Sequence, residues 1–561
     1  YEINIGDWSS DVCSSDLPVP LTEYVPLQYD PKGGKIITQY DMHAVEDAGL
    51  LKFDFLGIKN LAILADAVIR VKKQYDILID LENIDIADKK TFELLARGDT
   101  EGLFQLNGSG MTRYLKELRP SSITDINAMV ALYRPGPMQF IPLYIERKHN
   151  PRLVKYMDPA LEPILKQTYG VLVYQDDLLL MAVNLAGYSW GEVDKFRKAV
   201  GKKIPEEMAK QKEKFINGCV SYSKWPLKKA EELWNWIEPF AAYGFNKAHA
   251  ASYGKVAYQT AYMKANFPVE YMASILTAES GDIEKISVII NECKNMKIPV
   301  SAPSVNISYG DFTVVYNENN KPTNILFGFH SIKNLGNEIA DAIITEREKA
   351  GDFISIGDFL TRVKHKNLNK KSLEALVKSG SLDCLGNRSA MLSQIEEMLA
   401  FAKQSKNENE NQQSLFGMLQ TNSAPTFKLI DAPEIDETQR LASEKELLGL
   451  YISGHPLDKH TERIRGKVKD IKSIVENGKN GLPVIIAGVI ETVRINLTKK
   501  NDRMAFIKIG DQTSQIEVVV FPKIFTTSHE AIEEGVVVAI SGKISIRNDE
   551  KSILVDKIKK L

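Results

Sequence analysis

Asp54 stands between two phenylalanines in the run Gly49–Gly57, GLLKFDFLG. A carboxylate flanked this way is costly to bury unless it is paired, hydrogen-bonded or bound to a metal. A period of two puts Leu51, Phe53 and Phe55 on one face of a short strand and Lys52 and Asp54 on the other. Lys52 can therefore pair with Asp54 or meet a phosphate. Nucleotidyl transfer by two metal ions needs carboxylates converging on cations roughly 3.5–4 Å apart. One aspartate cannot hold both, and on these residues alone a structural Lys–Asp pair at a strand edge is the simpler reading.

Three further segments set cations and amides beside glycines: Ala131–Met138 (ALYRPGPM), Phe196–Lys203 (FRKAVGKK) and Tyr243–Ala250 (YGFNKAHA). On a helix, Lys195, Lys198 and Lys202 share a face and Arg197 leans to its side. That face could clamp a triphosphate or a template backbone. Lys195–Lys214 carries eight Lys and Arg against three Glu, a local excess hidden by the net charge of −2. Phosphates respond to local patches within a Debye length of about 10 Å, so a near-neutral total does not exclude nucleic acid. Asn246, Lys247 and His249 bring donors for phosphate or sugar, with Gly244 allowing close approach. A solvated helix face is the competing reading for each segment.

These residues need elements to position them. Asn60–Lys73, Lys89–Arg97, Asp176–Ala186 and Ala250–Asn266 repeat at helical spacing, and residues 60–280 read as mostly helical. Pro18–Tyr40 reads as extended, with a turn at Lys32-Gly33-Gly34. Short helices and glycine turns fill 285–400. A polar stretch from Lys403 reads as disordered linker, and a second runs from Thr421 to Glu437. Then the pattern changes to five strands: Val484–Ile495, Met504–Ile509, Gln515–Phe521, Val536–Ile546 and Ser552–Val555. Five strands in so short a length suit a barrel of the OB type. The expected class is multidomain α+β, with helical domains followed by an all-β OB barrel. No apolar run is long enough to span a bilayer, so no membrane partner is expected. Four scattered cysteines without a CxxC pair argue against a disulfide framework and a zinc ribbon, which suits a reducing cytoplasm.

The strings GLLKFDFLGIKN, GDTEGLFQL (Gly98–Leu106), ALYRPGPM, FRKAVGKK and AYGFNKAHAASYG (Ala242–Gly254) resemble the bacterial DNA polymerase III alpha subunits (family C, DnaE-type) in residues, order and spacing. The resemblance covers Pro18–Leu561 and implies a DNA-directed DNA polymerase using two Mg²⁺ ions. Asp54 matches the third catalytic aspartate of the palm, a metal ligand, with Lys52 beside it near the phosphates. Arg197 and Lys198 match fingers residues that meet the incoming dNTP. Arg134, Asn246, Lys247 and His249 fall in matching motifs near the nucleotide. At Lys198 the family often has Arg, so the charge stays and the bidentate fork is lost. The family's other two catalytic aspartates form an Asp-x-Asp motif upstream, which this sequence lacks. The expectation is a fragment without the N-terminal phosphoesterase-like domain, most of the palm and the thumb, inactive alone. Asp7–Leu17, DWSSDVCSSDL, matches one reading frame of a common sequencing-library adaptor, so residues 1–17 are expected to be non-native.

Gly328–Gly336, leading into a helix near Asn337, is similar to a helix-hairpin-helix offering backbone N–H groups to phosphate, through Lys333, Asn334 and Gly336. Leu376–Leu382, with Lys378 and Gly380, is the expected partner hairpin. Gln412–Phe416 resembles the family's sliding-clamp peptide, with Gln412 in a polar subsite and Leu415 and Phe416 as anchors. Lys499, Lys500 and Arg503 sit in a barrel loop expected to meet template. Phe506 and Phe521 could stack on bases or belong to the core. The expected layout is 18–58 palm remnant, 59–285 fingers, 286–400 tandem hairpins and clamp-binding domain, 401–440 linker, 441–480 connector and 481–561 OB-fold. Implied partners are primer-template DNA, dNTP, the sliding clamp, a proofreading exonuclease and the clamp-loader tau. A non-catalytic DNA-binding scaffold and the family's accessory, lesion-tolerant branch are the alternatives.

Overall fold

A computed structural model describes residues 19–31, 33–50, 57–202, 205–241, 244–411, 427–498, 501–547 and 550–561. The chain divides into two compact units, residues 1–62 and 63–561. The expected extended segment in the first is an antiparallel hairpin of β1 (Leu27–Tyr29) and β2 (Ile36–Thr38), followed by α1 (Met42–Asp47). Asp41 caps that helix by accepting from the N–H groups of His43 and Ala44. Val25, Val45 and Leu50 form a small core. The expected strand carrying Lys52 and Asp54 lies outside the described residues.

Among the described residues, thirteen helices and a short sheet follow. They begin with α2 (Lys59–Tyr75), α3 (Lys89–Arg97), α4 (Ser109–Leu118), α5 (Ile123–Leu132) and α6 (Ile141–His149). Next come α7 (Glu162–Leu165), α8 (Gln175–Ala186), α9 (Trp190–Lys202), α10 (Pro205–Ser221) and α11 (Leu227–Ala241). The series closes with α12 (Lys247–Asn266), α13 (Pro268–Ala278) and α14 (Ile283–Asn295). Their apolar faces build two cores rather than one. The region from Leu161 to Phe240 packs its own core around Phe196, Phe215 and Trp234. The other runs from Ile63 through α5, α12 and α13 into the hairpin region as far as Leu448.

That shared core also holds an unexpected sheet, β3 (Val300–Ser301), β4 (Thr313–Tyr316) and β5 (Pro322–Leu326), ordered β3-β5-β4. Then come α15 (Asn337–Ala350), α16 (Ile356–Arg362), α17 (Lys370–Lys378), α18 (Arg388–Ser393) and α19 (Ile395–Asn411). The polar stretch from Lys403 was expected as linker, yet to Asn411 it continues α19. Its Lys, Gln, Glu and Asn side chains are compatible with helix, and it contains neither glycine nor proline to end one. Phe427 and Leu429, in the second expected linker, pack on the large core. The connector begins with α20 (Glu437–Leu448), whose buried Glu444 lies 3.3 Å from Arg388 and accepts N–H bonds from Ile452 and Ser453. It is therefore part of the body. Short α21 (Thr461–Ile464) and α22 (Ile471–Asn477) lead to the last domain.

There β6 (Pro483–Leu497), β7 (Arg503–Gly510), β8 (Gln515–Val520), β9 (Val537–Arg547) and β10 (Glu550–Lys560) close a barrel in the order β10-β8-β7-β6-β9. The β8–β10 pair is parallel and every other pair antiparallel, with α23 (Pro522–Ser528) between β8 and β9. Alternation explains the closure: Ala505, Ile507 and Ile509 of β7 and Ile516, Val518 and Val520 of β8 all point into one core. The expected fold class holds: a helical fingers domain, helix-hairpin-helix elements and a C-terminal OB barrel. Among the described residues, no helix is long and apolar enough to cross a membrane.

Candidate nucleotide and nucleic-acid interface

The N-terminus of α12 gathers three segments that are far apart in sequence. Asn246 caps the helix, its Oδ1 accepting from the His249 N–H at 2.8 Å. A 20-residue helix places roughly half a positive charge at that end. Phe245 forms an isolated parallel bridge with Tyr174, and its carbonyl accepts from the Gln175 N–H at 2.9 Å. The Arg134 guanidinium lies 3.8 Å from the centroid of Phe245, a cation–π contact that leaves the residue exposed. Lys247 donates its backbone N–H to Asp176 Oδ2 at 2.8 Å and holds its ammonium over the Tyr174 ring. The His249 ring lies between Phe245, at 5.2 Å, and Tyr253, at 4.2 Å, and Tyr253 in turn meets Phe104. Three of the quoted strings (GDTEGLFQL, ALYRPGPM and AYGFNKAHAASYG) therefore converge here.

Two supports fix this place. Asp177 accepts from the Tyr174 N–H at 3.1 Å, and burial, the largest influence on it, pushes its pKa up to about 6. Where α12 crosses α5, a Cβ on Gly254 would fall 1.8 Å from Asn127 Oδ1, so any larger residue there must displace the Asn127 amide. Asn246 has a structural role as well, its amide oxygen serving the helix cap. Tyr174, Asp176 and Asp177 were missed, because nothing local in the sequence announces the Tyr174–Phe245 bridge.

Arg197 and Lys198 lie elsewhere, exposed on α9. Both pair with Asp194, Arg197 Nη2 at 2.8 Å and Lys198 Nζ at 2.9 Å, and these bonds lower the Asp194 pKa. The spacing i,i+3 and i,i+4 could have revealed Asp194 from sequence. Helix α8 connects the two places, its first turn beside Phe245 and its flank against α9.

The first hairpin stands where expected. Lys333, Asn334 and Gly336 are exposed, and α15 begins at Gly336 without a side-chain cap. Its first N–H groups thus point to a surface beside a lysine, the arrangement that binds phosphate. The expected partner hairpin lies between α17 and α18. Lys378 and Gly380 follow α17 at its C-terminal end, where Gly380 N–H bonds Val377 O and Ser381 N–H bonds Leu376 O. These amides are committed to closing the helix, so they offer nothing to an anion. A further turn, Val363–Asn369, lies between α16 and α17 with exposed Lys364 and Lys366, and Asn369 caps α17 by accepting from the Ser372 N–H. Asn367 Nδ2 donates to Glu338 Oε2 of α15 at 2.8 Å and joins the two turns.

On the barrel, Arg503 is exposed at the start of β7. Phe506 is half-buried and alternates with the inward Ala505 and Ile507, and Phe521 is 46% exposed. Both phenylalanines are therefore outside the barrel core. Lys52, Asp54, Gln412, Leu415, Phe416, Lys499 and Lys500 lie outside the described residues. Among the described residues, no group of three His, Cys, Asp or Glu side chains is placed to hold a metal ion.

Helical fingers, helix-hairpin-helix elements and an OB barrel on one chain are the parts of a multidomain nucleic-acid-binding protein. Family models agree part by part. The bacterial DNA polymerase III alpha subunit finger domain matches residues 60–223, a helix-hairpin-helix motif 297–391, and an OB-fold nucleic acid binding domain 484–561. The bacterial DNA polymerase III alpha NTPase domain matches 11–57, a match that starts inside the stretch expected to be non-native. The DNA polymerase III subunit alpha of Thermus aquaticus is 40% identical over 547 residues, covering 96% of this chain and 44% of its own length. Those of Borreliella burgdorferi and Bacillus subtilis are each 38% identical, with 96% of this chain and 47% of their own length covered. The chain belongs to the bacterial DNA polymerase III alpha-subunit family and spans about half the length of the curated relatives it matches.

Proposed function

We propose that this chain is the nucleotide- and DNA-holding part of a replicative DNA polymerase. In the reaction a primer 3′-hydroxyl attacks the α-phosphate of a dNTP in line and pyrophosphate leaves. The observation that carries this reading is the convergence of three family motifs at the α12 N-terminus. Arg134 on its ring, Lys247 and the helix end supply positive charge in a fixed geometry for a triphosphate, and the His249–Tyr253 pair offers a flat neighbour for a base. Arg197 and Lys198 add a second basic surface. Two Mg²⁺ ions would supply Lewis-acid chemistry when bound, with Asp54 as one ligand and Lys52 near the phosphates. The first hairpin, the Val363–Asn369 turn and the barrel's Lys499, Lys500 and Arg503 hold DNA backbone. Gln412, Leu415 and Phe416 dock on the sliding clamp.

The test has two arms. In a polypeptide extended upstream to include the remaining palm carboxylates, Asp54→Ala abolishes primer extension and leaves DNA affinity nearly intact; extension that persists removes Asp54 from catalysis. In the present chain, Gly336→Asp places a carboxylate at the α15 N-terminus, which stabilises the helix by a few tenths of a kcal/mol and weakens primer-template binding measured by anisotropy. Lys333→Ala lowers the salt slope of that binding by about one. An unchanged affinity and slope would take the hairpin out of the DNA path.

A further inference from the structure

A cavity of about 340 Å³ is lined by residues of segments that lead into the α12 cluster. Phe140, Tyr156, Trp236 and Phe240 give it aromatic walls, with Leu161 and Val171 among its aliphatic ones. Its charged lining consists of Arg147 and Lys155, and no carboxylate lines it among the described residues. Arg147 is fixed in place, its Nη1 donating to the carbonyls of Tyr169 and Gly170. Lys155 is exposed at the rim, and so are Leu143 and Met157, at 37% and 39%. Concave, mostly apolar sites of this size with a few fixed polar groups are the kind that bury small ligands. Aromatic walls favour a flat ring system, and two cations without a counter-charge favour an anion.

We propose that this cavity is a binding site for a small, flat aromatic anion, such as an aryl carboxylate or sulfonate, and that its occupancy stiffens the α12 cluster. The coupling follows from chain connectivity. The walls belong to three segments, and each runs directly into a cluster element. Phe140 ends the turn that starts at Arg134, where Met138 N–H bonds the Arg134 carbonyl. Val171 and Leu172 lead into Tyr174. Phe240 accepts the Gly244 N–H, one residue before Phe245. A ligand wedged between these walls holds all three entries at once.

The probe is 8-anilinonaphthalene-1-sulfonate added to the full chain without DNA or nucleotide, so the outcome does not depend on the polymerase reading. One saturable site with blue-shifted fluorescence is expected. Met157→Trp fills the cavity mouth and weakens binding at least tenfold, and Leu143→Glu on the same rim does so if the first variant loses its folded circular-dichroism spectrum. Lys155→Glu weakens the sulfonate severalfold and leaves the neutral N-phenyl-1-naphthylamine unchanged. Hydrogen exchange of peptides 171–177 and 244–250 slows when the probe is bound. The site is overturned if both rim variants bind the probe as well as the parent chain, its anion preference if Lys155→Glu acts equally on both probes, and the coupling if exchange does not change.

Discussion

On the α9 ridge two cations sit beside one aspartate, whereas at the α12 cluster Lys247 lies near two, Asp176 and Asp177, and the regions differ in where the acid sits. On α9, Asp194 is exposed and bonds Arg197 and Lys198 directly, so its pKa falls and its partners are partly neutralised. At α12, Asp177 is buried and bonds a backbone N–H, and burial raises its pKa to about 6. Arg134 and Lys247 there rest on aromatic rings instead. A cation held by a ring keeps its charge available to a ligand, whereas a cation held by a carboxylate must first give up a partner. Under the proposed function the α12 cations are therefore the better-prepared grip, and the α9 pair is a reserve that a polyanion would draw on at low salt.

Breaking the α12 side at its base has the largest effect. Gly254→Leu forces α12 away from α5 and costs about 3 kcal/mol by urea unfolding, an overpacking penalty. A variant as stable as the parent would mean that the crossing does not fix the cluster. Asp177→Asn probes the buried acid. The folded-state pKa of Asp177 exceeds its unfolded value of 3.8, so its contribution to stability is complete below about pH 4 and lost as pH rises through 6. The asparagine variant is therefore the more stable protein at pH 7.5, by up to about 3 kcal/mol. That margin shrinks toward zero on acidification to pH 4. A margin independent of pH would show that Asp177 does not titrate there.

Smaller effects separate the cations. Arg134→Gln weakens dNTP binding about tenfold in the upstream-extended polypeptide, and the loss persists at high salt. Arg197→Gln weakens it less, and its effect fades as salt rises. Equal salt dependence would erase the distinction between the regions. Asp194→Asn frees Arg197 and Lys198, so binding of a short oligonucleotide tightens a few-fold at low salt. Weaker binding would mean that the aspartate orients the two cations for use.

Much of the architecture was legible because it is local. Lys89–Arg97 carries its cap, Asp88, and its terminator, Gly98, in the sequence itself, and the helix has those bounds. Alternation in β7 and β8 gave the barrel strands, and the change from helical to strand period marked where the barrel begins. Residues 403–411 misled because their polarity suits either linker or solvated helix. In the hairpin region only the backbone bonds reveal that Ser379–Ser381 closes α17 while Val363–Asn369 opens it.

The sequence by itself determined the order of helical and β domains, the cation-rich segments and the motifs that place the chain in its family, since each depends on neighbours within a few residues. The tertiary structure alone decided which of those segments meet. Arg134 finds Phe245, Tyr174 bridges to it, and Gly254 admits Asn127, while Arg197 and Lys198 stay with Asp194. Such meetings rest on core packing between distant segments, whose closing contacts follow from shape and burial rather than from any local period.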